Sequence, residues 1–537
     1  MQIAGLASNR GRNLRHIAAI EPGGAELSVV VANHADAPVL DAAKARGIPT
    51  IAVEREEDES RESHEKRILD ALADYEFDLV CLDGYMRVLT STFLDAVDTA
   101  LNVHPSLLPA FPGYDAHHQV LESGVRTSGA TVHVVTEEVD SGPVVTQESV
   151  PVFEDDDEDS LKDRVLYDAE FSAYPRAVRL FAADRVSVES DDEGTPISVE
   201  IAGDTGDDLP ARRTVSTRRE ASLRYGENPH QDAAVYAADA GEEPSVVAAT
   251  QVNEGAKALS YNNYNDADAA LNLIKEFEEP AAAVIKHTNP AGAATADSLA
   301  EAYRDALSTD AKSAFGGIVA LNRECDAETA TEIVDSFKEV VVAPGYTDDA
   351  LDTLSEKGNL RVLDVGARTD GTLGPADRTE RFTEKALVGG RLVQERDRST
   401  VTRDDLDVVT EREPTDEQIE TMLFAWKVLK HVKSNGILIA EGTETVGVGM
   451  GQVSRVDAVT LAAMKAETDA EGKSADGAVV ASDAFIPFAD AIEAAAEAGI
   501  EVVIQPGGSV NDDDVIEAAN ELGLAMVMTG QRAFRHD

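Results

Sequence analysis

Asn102 and His104 stand two residues apart in the segment LNVHPSLLPAFPG, directly after an apolar run that reads as a strand. Residues i and i+2 of a strand point to one face, so the amide and the imidazole can converge on one reacting atom. Asp140 lies further on in EEVDSGPVV, in a turn between two strand-like runs. Transfer of an acyl group to an amine needs three things: a donor for the developing oxyanion, a group to handle the amine proton, and something to set the charge of the imidazole. Asn, His and Asp meet those needs. Nearer the start, the strand-like run QIAGLAS passes through Asn9, Arg10, Gly11, Arg12 and Asn13 into a helix. A glycine in such a turn lets backbone N–H groups approach an anion at the positive end of the helix. Taken singly, each of these features also fits an ordinary strand-to-helix loop, a capped turn or a satisfied histidine.

The elements that must position these groups show in the periodicity. From Gln2 to about Asp184 short apolar runs (QIAGLAS, LSVVVAN, PTIAV, FDLVCLDG) alternate with helical stretches, closing with SLKDRVLYDAEFSAYPRAVRLFAADR. That βαβα rhythm predicts an α/β domain over residues 1–187 with a mostly parallel, Rossmann-like sheet and helices on both faces. Residues 188–214 are acidic, Gly- and Pro-bearing and poorly periodic, and read as a linker. Residues 215–537 alternate Ala-rich helical stretches with AAAVIKH, FGGIVALN, EVVVAP, GILIA, GAVVASD and EVVIQPGG, a second α/β region of two subdomains.

Composition excludes whole classes. Asp plus Glu number 101 against 47 Lys plus Arg, a formal net charge of −54, while the hydrophobic fraction stays at 43%. This is a folded chain with an acidic skin, which repels phosphate backbones and anionic lipid, so neither nucleic acid nor membrane is expected as a partner. The acidity suits solubility in high salt, where screening lengths shrink to a few ångströms, and predicts a halophilic source. Cys81 and Cys325 are the only cysteines and neither has metal-ligand spacing around it, so no disulfide framework or zinc knuckle is expected. MQIAGLASNR opens directly into a strand, and no stretch reaches the ~20 apolar residues of a membrane-spanning helix. The expected location is the cytoplasm.

SNRGRNL, YMRVL, NVHPSLLPAFPG, SGATVHVVTEEVDSGPVV and AEFSAYP, in that order over about residues 1–185, resemble the glycinamide ribonucleotide (GAR) transformylases. The resemblance implies that Asn102, His104 and Asp140 are the catalytic trio, with Gly11, Arg12, Asn13 and Glu170 at the ribonucleotide phosphate or its surroundings. It also implies Met86, Arg87, Val88 and Leu89 beside the pterin of 10-formyltetrahydrofolate. Arg12 departs from the Ser usual at its position, so its role does not carry over.

From Leu223 onward, LRYGENPHQ, LSYNNYNDADAAL, AAVIKHTNPAG, SAFGGIVALNRE, LFAWKVLKHVKSNGILIA, VGVGMGQVSRVDA, VVASDAFIPFADAIEAAAEAGI and MVMTGQRAFRH resemble the transformylase domain for aminoimidazole carboxamide ribonucleotide (AICAR). The family fold is cytidine-deaminase-like. An aromatic amine conjugated to a carboxamide is a poor nucleophile, so its formylation needs a positioned base and a proton source for the departing folate nitrogen. By resemblance His287 takes the amine proton, Lys286 assists transfer to the folate nitrogen, and Asn435, Asp490 and His536 complete the catalytic set. Arg224 and Tyr225 are implied near the ribonucleotide, and Phe315, Gly316, Arg455, Phe485 and Pro487 along nucleotide or folate surfaces. The resemblance further implies a homodimer through this region and chemistry without a metal.

A zinc deaminase, the rival suggested by that fold, wants a Cys/His metal set with H-x-E and C-x-x-C patterns, which two distant cysteines do not supply. For the first half, a different formyltransferase or a formyltetrahydrofolate hydrolase shares the Asn, His, Asp trio, and RGRN with AEFSAYP favours the ribonucleotide. In the usual bifunctional enzyme a cyclohydrolase domain precedes the AICAR transformylase, whereas here the linker leads straight into ASLRYGENPHQ, so ring closure to inosine monophosphate is expected of another protein. Free formate activated by ATP is the alternative donor; no ATP-grasp or P-loop pattern is evident, which favours the folate.

Overall fold

The computed structural model describes residues 1–192, 194–203, 209–210, 213–238, 243–253, 256–367 and 371–536. The chain divides into two compact units, Met1–Thr214 and Val215–Asp537. Residues 193, 204–208 and 211–212 of the expected linker lie outside the described residues.

The first unit is built on β1 (Gln2–Ala7), β2 (Glu26–Ala32), β3 (Thr50–Ala52), β4 (Leu79–Asp83), β5 (Ala100–His104), β6 (Thr127–Val134) and β7 (Val144–Pro151), in the spatial order β3-β2-β1-β4-β5-β6-β7. The β3-to-β5 portion is parallel, and β6 and β7 join antiparallel. Strand alternation sends Ile3 and Ala7 into one core with Leu101, Val103, Tyr174 and Val178, and Ala4 and Leu6 into another with Ile68, Leu72 and Phe93. A sheet covered on both faces is why QIAGLA reads as a continuous apolar run. The expected mostly parallel α/β sheet is what forms. Across the start of the segment expected as linker, β8 (Val186–Ser190) and β9 (Pro196–Ile201) make an antiparallel hairpin whose Val188 and Val199 pack on the first unit's core. Alternating polar residues in VSVES and PISVEI mask this hairpin among the acidic positions.

In the second unit, β10 (Arg218–Leu223) and β11 (Ala233–Ala237) form a small sheet of their own. The main sheet contains β12 (Thr250–Gln251), β13 (Ala281–Lys286), β14 (Asn289–Thr295), β15 (Ile318–Leu321), β16 (Val340–Ala343) and β17 (Arg361–Asp364). After the hairpin of β18 (Phe382–Leu387) and β19 (Gly390–Glu395) it continues with β20 (Asp407–Val408), β21 (Ile437–Glu441), β22 (Glu444–Gly449), β23 (Val479–Ser482), β24 (Val502–Gln505) and β25 (Ala525–Met528). Its order, β12-β17-β16-β15-β13-β14-β22-β21-β23-β24-β25-β20, contains the same arrangement twice: an antiparallel hairpin, an antiparallel neighbour, then two parallel strands. The two halves meet where β14 pairs with β22. One face carries a single core spanning both halves, filled by helices Tyr261–Ile274 and Asp416–Leu429. On the other face each half has its own core. The two subdomains therefore share one sheet. No helix among the described residues is long and apolar enough to cross a membrane.

Candidate functional site

Asn102 and His104 both lie on β5, as the i, i+2 spacing requires, and Asn102 pairs across the sheet with His133 of β6. Asp140, in a turn at φ 53°, turns its carboxylate back onto the strand ends. Its Oδ2 accepts from Gly113 N at 2.8 Å and lies 3.1 Å from His104 Nδ1. His133 Nε2 stands 3.5 Å from Asp140 Oδ1 and 3.2 Å from Asn102 Nδ2, with Nδ1 anchored on Val134 O at 3.0 Å. His104 Nε2 donates to Phe111 O at 2.8 Å. Burial alone would raise the Asp140 carboxyl, but hydrogen bonds from His104, His133 and Gly113 N–H outweigh it and hold the group well below the usual carboxylate range. The sheet thus brings an amide donor, an imidazole and its carboxylate orienter to one edge. His133, not singled out from the sequence, is the fourth member; its signal was a lone ring donor inside the apolar strand SGATVHVV.

The turn before helix Arg12–Ile20 behaves differently from a vacant anion cradle. Gly11 adopts φ 53° at the helix start, but the helix N–H groups of Asn13 and Leu14 donate to Asp83 Oδ2 at 2.7 and 3.2 Å. Asp83 ends β4, so an anion of the chain's own caps this helix. The Asn13 amide bridges two carboxylates, donating to Asp83 Oδ1 at 3.2 Å and to Glu170 Oε2 at 2.5 Å. Burial pushes Glu170 up to about 7, with the Asp83 charge adding to it, and burial also raises Asp83. Glu170 closes a π-helical turn, Val165–Glu170, inserted between two α-helical stretches; such turns re-aim side chains at functional sites. One turn on, the buried Tyr174 hydroxyl reaches Leu82 O at 2.9 Å and Leu101 O at 3.0 Å, the carbonyls just before Asp83 and Asn102. Arg12 faces Asp163 at 3.7 Å. Of the segment expected beside the pterin, Met86 is exposed and tied by its N–H to Ser8 Oγ at 2.8 Å, whereas Leu89 is buried in the core with Phe93, leaving only its backbone for a ligand.

In the second unit, Lys286 ends β13 and pairs with Asn289, so His287 and Thr288 form a two-residue hairpin turn with φ 52° and 62°. Both central residues of such a turn need positive φ, an unusual demand on His and Thr. Thr288 N is held by Asp266 Oδ1 at 2.7 Å. In the second half the corresponding turn, between β21 and β22, is Gly442–Thr443, so the histidine occupies a slot where the repeat uses glycine. Lys286 Nζ donates to Phe315 O at 2.8 Å, and a Cβ on Gly316 would lie 3.2 Å from that Nζ, so glycine is what lets the lysine approach. Lys286 and His287 line a cavity of about 280 Å³ with Asn289, Asp310 and Lys465.

Asn435, Arg455, Phe485, Pro487 and Asp490 line another cavity, of about 590 Å³, at the second half of the sheet. Arg455 organises it: its guanidinium bonds Asp483 Oδ1 at 2.6 Å, Ser482 Oγ at 2.8 Å and Asn435 Oδ1 at 3.2 Å, while Asn435 Nδ2 donates to Gln452 O at 2.6 Å. Arg532, its guanidinium 5.4 Å from the Phe485 ring centre, and Phe534 also line this cavity and went unnoticed in the sequence. His536 packs on Phe534 at 5.5 Å between ring centres but is not a lining residue. Within one chain, then, Lys286 and His287 line one cavity and Asn435 and Asp490 the other. Arg224 stacks over its neighbour Tyr225 at 5.6 Å, and neither lines either cavity.

Residues 190–465, just over half of the chain, match the family described as AICARFT/IMPCHase bienzyme. The chain belongs to that family. Residues 1–178 match the formyl transferase family, making the chain a fusion of the two. Among curated relatives, the bifunctional purine biosynthesis proteins PurH of Paracoccus denitrificans (strain Pd 1222) and Ruegeria sp. (strain TM1040) are each 51% identical, over 348 and 344 residues. These alignments cover 63% of this chain and 64% and 63% of the relatives, so the chain spans less than two thirds of their length. Among solved structures, glycinamide ribonucleotide transformylase 1 from Symbiobacterium toebii is 39% identical, covering 38% of this chain and 94% of that one, with a TM-score of 0.35. Phosphoribosylglycinamide formyltransferase from Anaplasma phagocytophilum is 36% identical, covering 39% and 97%, with a TM-score of 0.34.

The two matches partition the candidate residues. Asn102, His104, Asp140 and Glu170 fall in the formyl transferase segment; Lys286, His287, Asn435 and Arg455 fall in the bienzyme segment. Asp490, Arg532 and His536 lie beyond residue 465; the fold brings Asp490 and Arg532 to the larger cavity, while His536 packs on Phe534.

Proposed function

We propose that the chain is a bifunctional formyltransferase of purine biosynthesis, moving formyl from 10-formyltetrahydrofolate to the amine of GAR in the first unit and of AICAR in the second. The observation that carries the first half is the convergence of Asn102, His104, His133 and Asp140 at the end of β5. Asn102 Nδ2 is the donor available to the formyl oxygen as charge develops, and His104 takes the proton of the attacking amine. Asp140 holds the ring and balances the charge it gains. For this step Nε2 must first give up to solvent the proton it donates to Phe111 O, so that the neutral ring, keeping Nδ1–H on Asp140, turns its Nε2 lone pair to the amine in place of that carbonyl. Asn13 and Glu170 receive the ribonucleotide, with Arg12 as the nearby cation for its phosphate.

For the second half, the Lys286–His287 turn supplies a base and an ammonium side by side, while Asn435, Arg455 and Asp490 surround the larger cavity. Because one chain separates these sets, the reading includes a homodimer in which one protomer's Lys286 and His287 face its partner's larger cavity. The largely exposed Val453 and Phe488 at that cavity support such an interface. Soluble ribonucleotide and folate substrates favour a cytoplasmic reaction, and the charge of −54 supports a halophilic source. Neither transfer calls on a metal: the Asn102 amide meets the developing oxyanion in the first unit, and the Lys286 ammonium assists proton transfer to the departing nitrogen in the second.

The test is to assay the full chain with GAR and with AICAR, each with 10-formyltetrahydrofolate and with formate plus ATP, alongside Asp140→Asn and His287→Ala. The proposal expects folate-dependent formylation of both amines, with each variant silencing one. Formylation of neither amine, or of both by formate and ATP alone, overturns it.

A further inference from the structure

Helix Asp416–Leu429 runs into Lys430–Asn435, the stretch that delivers Asn435 to the larger cavity. Its first two side chains turn inward. His431 is 5% exposed, and its Nε2 lies 3.0 Å from Glu276 Oε1. The same carboxylate takes Arg378 Nη1 at 2.7 Å and Lys430 Nζ at 3.2 Å. On the other side of the ring, His431 Nδ1 lies 3.1 Å from Arg535 Nη1. A carboxylate here only accepts and a guanidinium only donates, so the proton belongs on Nε2 and the lone pair on Nδ1.

Arg535 is held twice by this stretch, because its carbonyl also accepts from Ser434 N at 2.6 Å. Its neighbours are Arg532 and Phe534, which line the cavity, Ala533, whose N–H donates to Asp483 O at 2.9 Å, and His536. We propose that His431 is a positioning residue of the second site: fixed as one tautomer between Glu276 and Arg535, it holds residues 532–536 against the Asn435 stretch, and a second ring proton releases them. That proton would put an N–H, and a positive charge, against the guanidinium.

The charged groups facing the ring are Glu276 and Lys430 on one side, with Arg378 beyond Glu276, and Arg535 on the other, with Asp268 within electrostatic reach of Arg535. Burial first, then the Arg535 and Lys430 charges working against Glu276, lower the ring's pKa to about 4. The clamp is therefore closed at neutral pH and opens as pH falls toward that value.

The inference rests on the proposed AICAR formylation, and the full-length protein allows the two to be separated. AICAR formylation is followed from pH 8 down to 3.5 in wild type, His431→Gln and His431→Ala, with GAR formylation by the first unit as the control in each sample. Glutamine keeps an N–H for Glu276 and an oxygen for Arg535 but does not titrate. The expected result is a loss of kcat on the order of 10²-fold in His431→Ala, the size that goes with an ångström-scale displacement of site groups. His431→Gln should keep most of the activity and share any acid limb that the reacting groups impose, but lack the further loss that wild type shows as pH falls toward about 4. Hydrogen exchange supplies a second reading: the amides of Ser434 and Ala533 should exchange faster in His431→Ala while those of β21 do not change. An acid limb identical in His431→Gln and wild type, or unchanged exchange at Ser434 and Ala533, overturns the clamp. Wild type that binds and formylates no AICAR at any pH overturns the functional reading instead, and the exchange experiment still decides the clamp.

Discussion

Replacing Asp140 by Asn tests the first site most directly, because the change keeps the shape and removes only the charge. In the folded protein one carboxylate oxygen serves both Gly113 N–H at 2.8 Å and His104 Nδ1 at 3.1 Å, while the other faces His133 Nε2 at 3.5 Å. An Asn with its oxygen in the first position keeps both acceptor bonds, now between neutral partners. Charge-assisted bonds are about twice as strong as neutral ones, so two of them weaken by about 1 kcal/mol each, partly offset because no buried charge has to be desolvated. The first unit should melt a few degrees lower. Catalysis should suffer far more, since the imidazole loses the charge that balances its proton: kcat for GAR formylation should fall about 10²- to 10⁴-fold. KM for the ribonucleotide should hold, because the Asn13 amide bonds Asp83 and Glu170, not Asp140. The pH sign follows from the depressed carboxyl: its stabilisation is present above the unfolded value of about 3.9 and is lost as pH falls through the lower folded value. Acid unfolding of the first unit should therefore be less steep in the variant. A normal kcat in Asp140→Asn, with AICAR formylation as the internal control, would refute the assignment.

Asp83→Ala should uncap helix Arg12–Ile20 at a cost of about 1 kcal/mol while freeing the Asn13 and Leu14 N–H groups for a phosphate, so KM for GAR should fall; steady-state kinetics showing a raised KM would contradict this. Stability should climb with KCl into the molar range because screening relieves repulsion within a chain of net charge −54, and a melting temperature flat in salt would count against a halophilic design. Mixing inactive His287→Ala with inactive Asp490→Ala under subunit exchange should restore AICAR formylation, since the two residues line different cavities of one chain; hybrid dimers without activity would place the site within a single protomer.

Much of this protein is written in local pattern. Apolar runs of four to eight residues separated by helical periodicity announce two α/β regions because a strand covered on both faces must be apolar throughout. The pairing of Asn102 with His104 is equally local, since strand geometry alone aims i and i+2 together. What joins them is not local. His133 is brought opposite Asn102 by antiparallel register between β5 and β6. Asp83 reaches the helix start because β4 lies beside β1, and a glycine-turn pattern carries no information about which carboxylate will fill it. The β8–β9 hairpin hid in an acidic stretch because, among the described residues, it packs on the core through Val188 and Val199, too few apolar positions to set a period. The duplicated sheet is invisible as sequence repetition, yet its strand order decides that His287 stands where the other half has Gly442. It also separates Lys286 and His287 from Asn435 and Asp490. Side-chain periodicity is set by a residue's own backbone, whereas which strands and termini become neighbours is set by burial of the whole core. Element types were therefore legible residue by residue, and the company each functional side chain keeps was decided only by the tertiary structure.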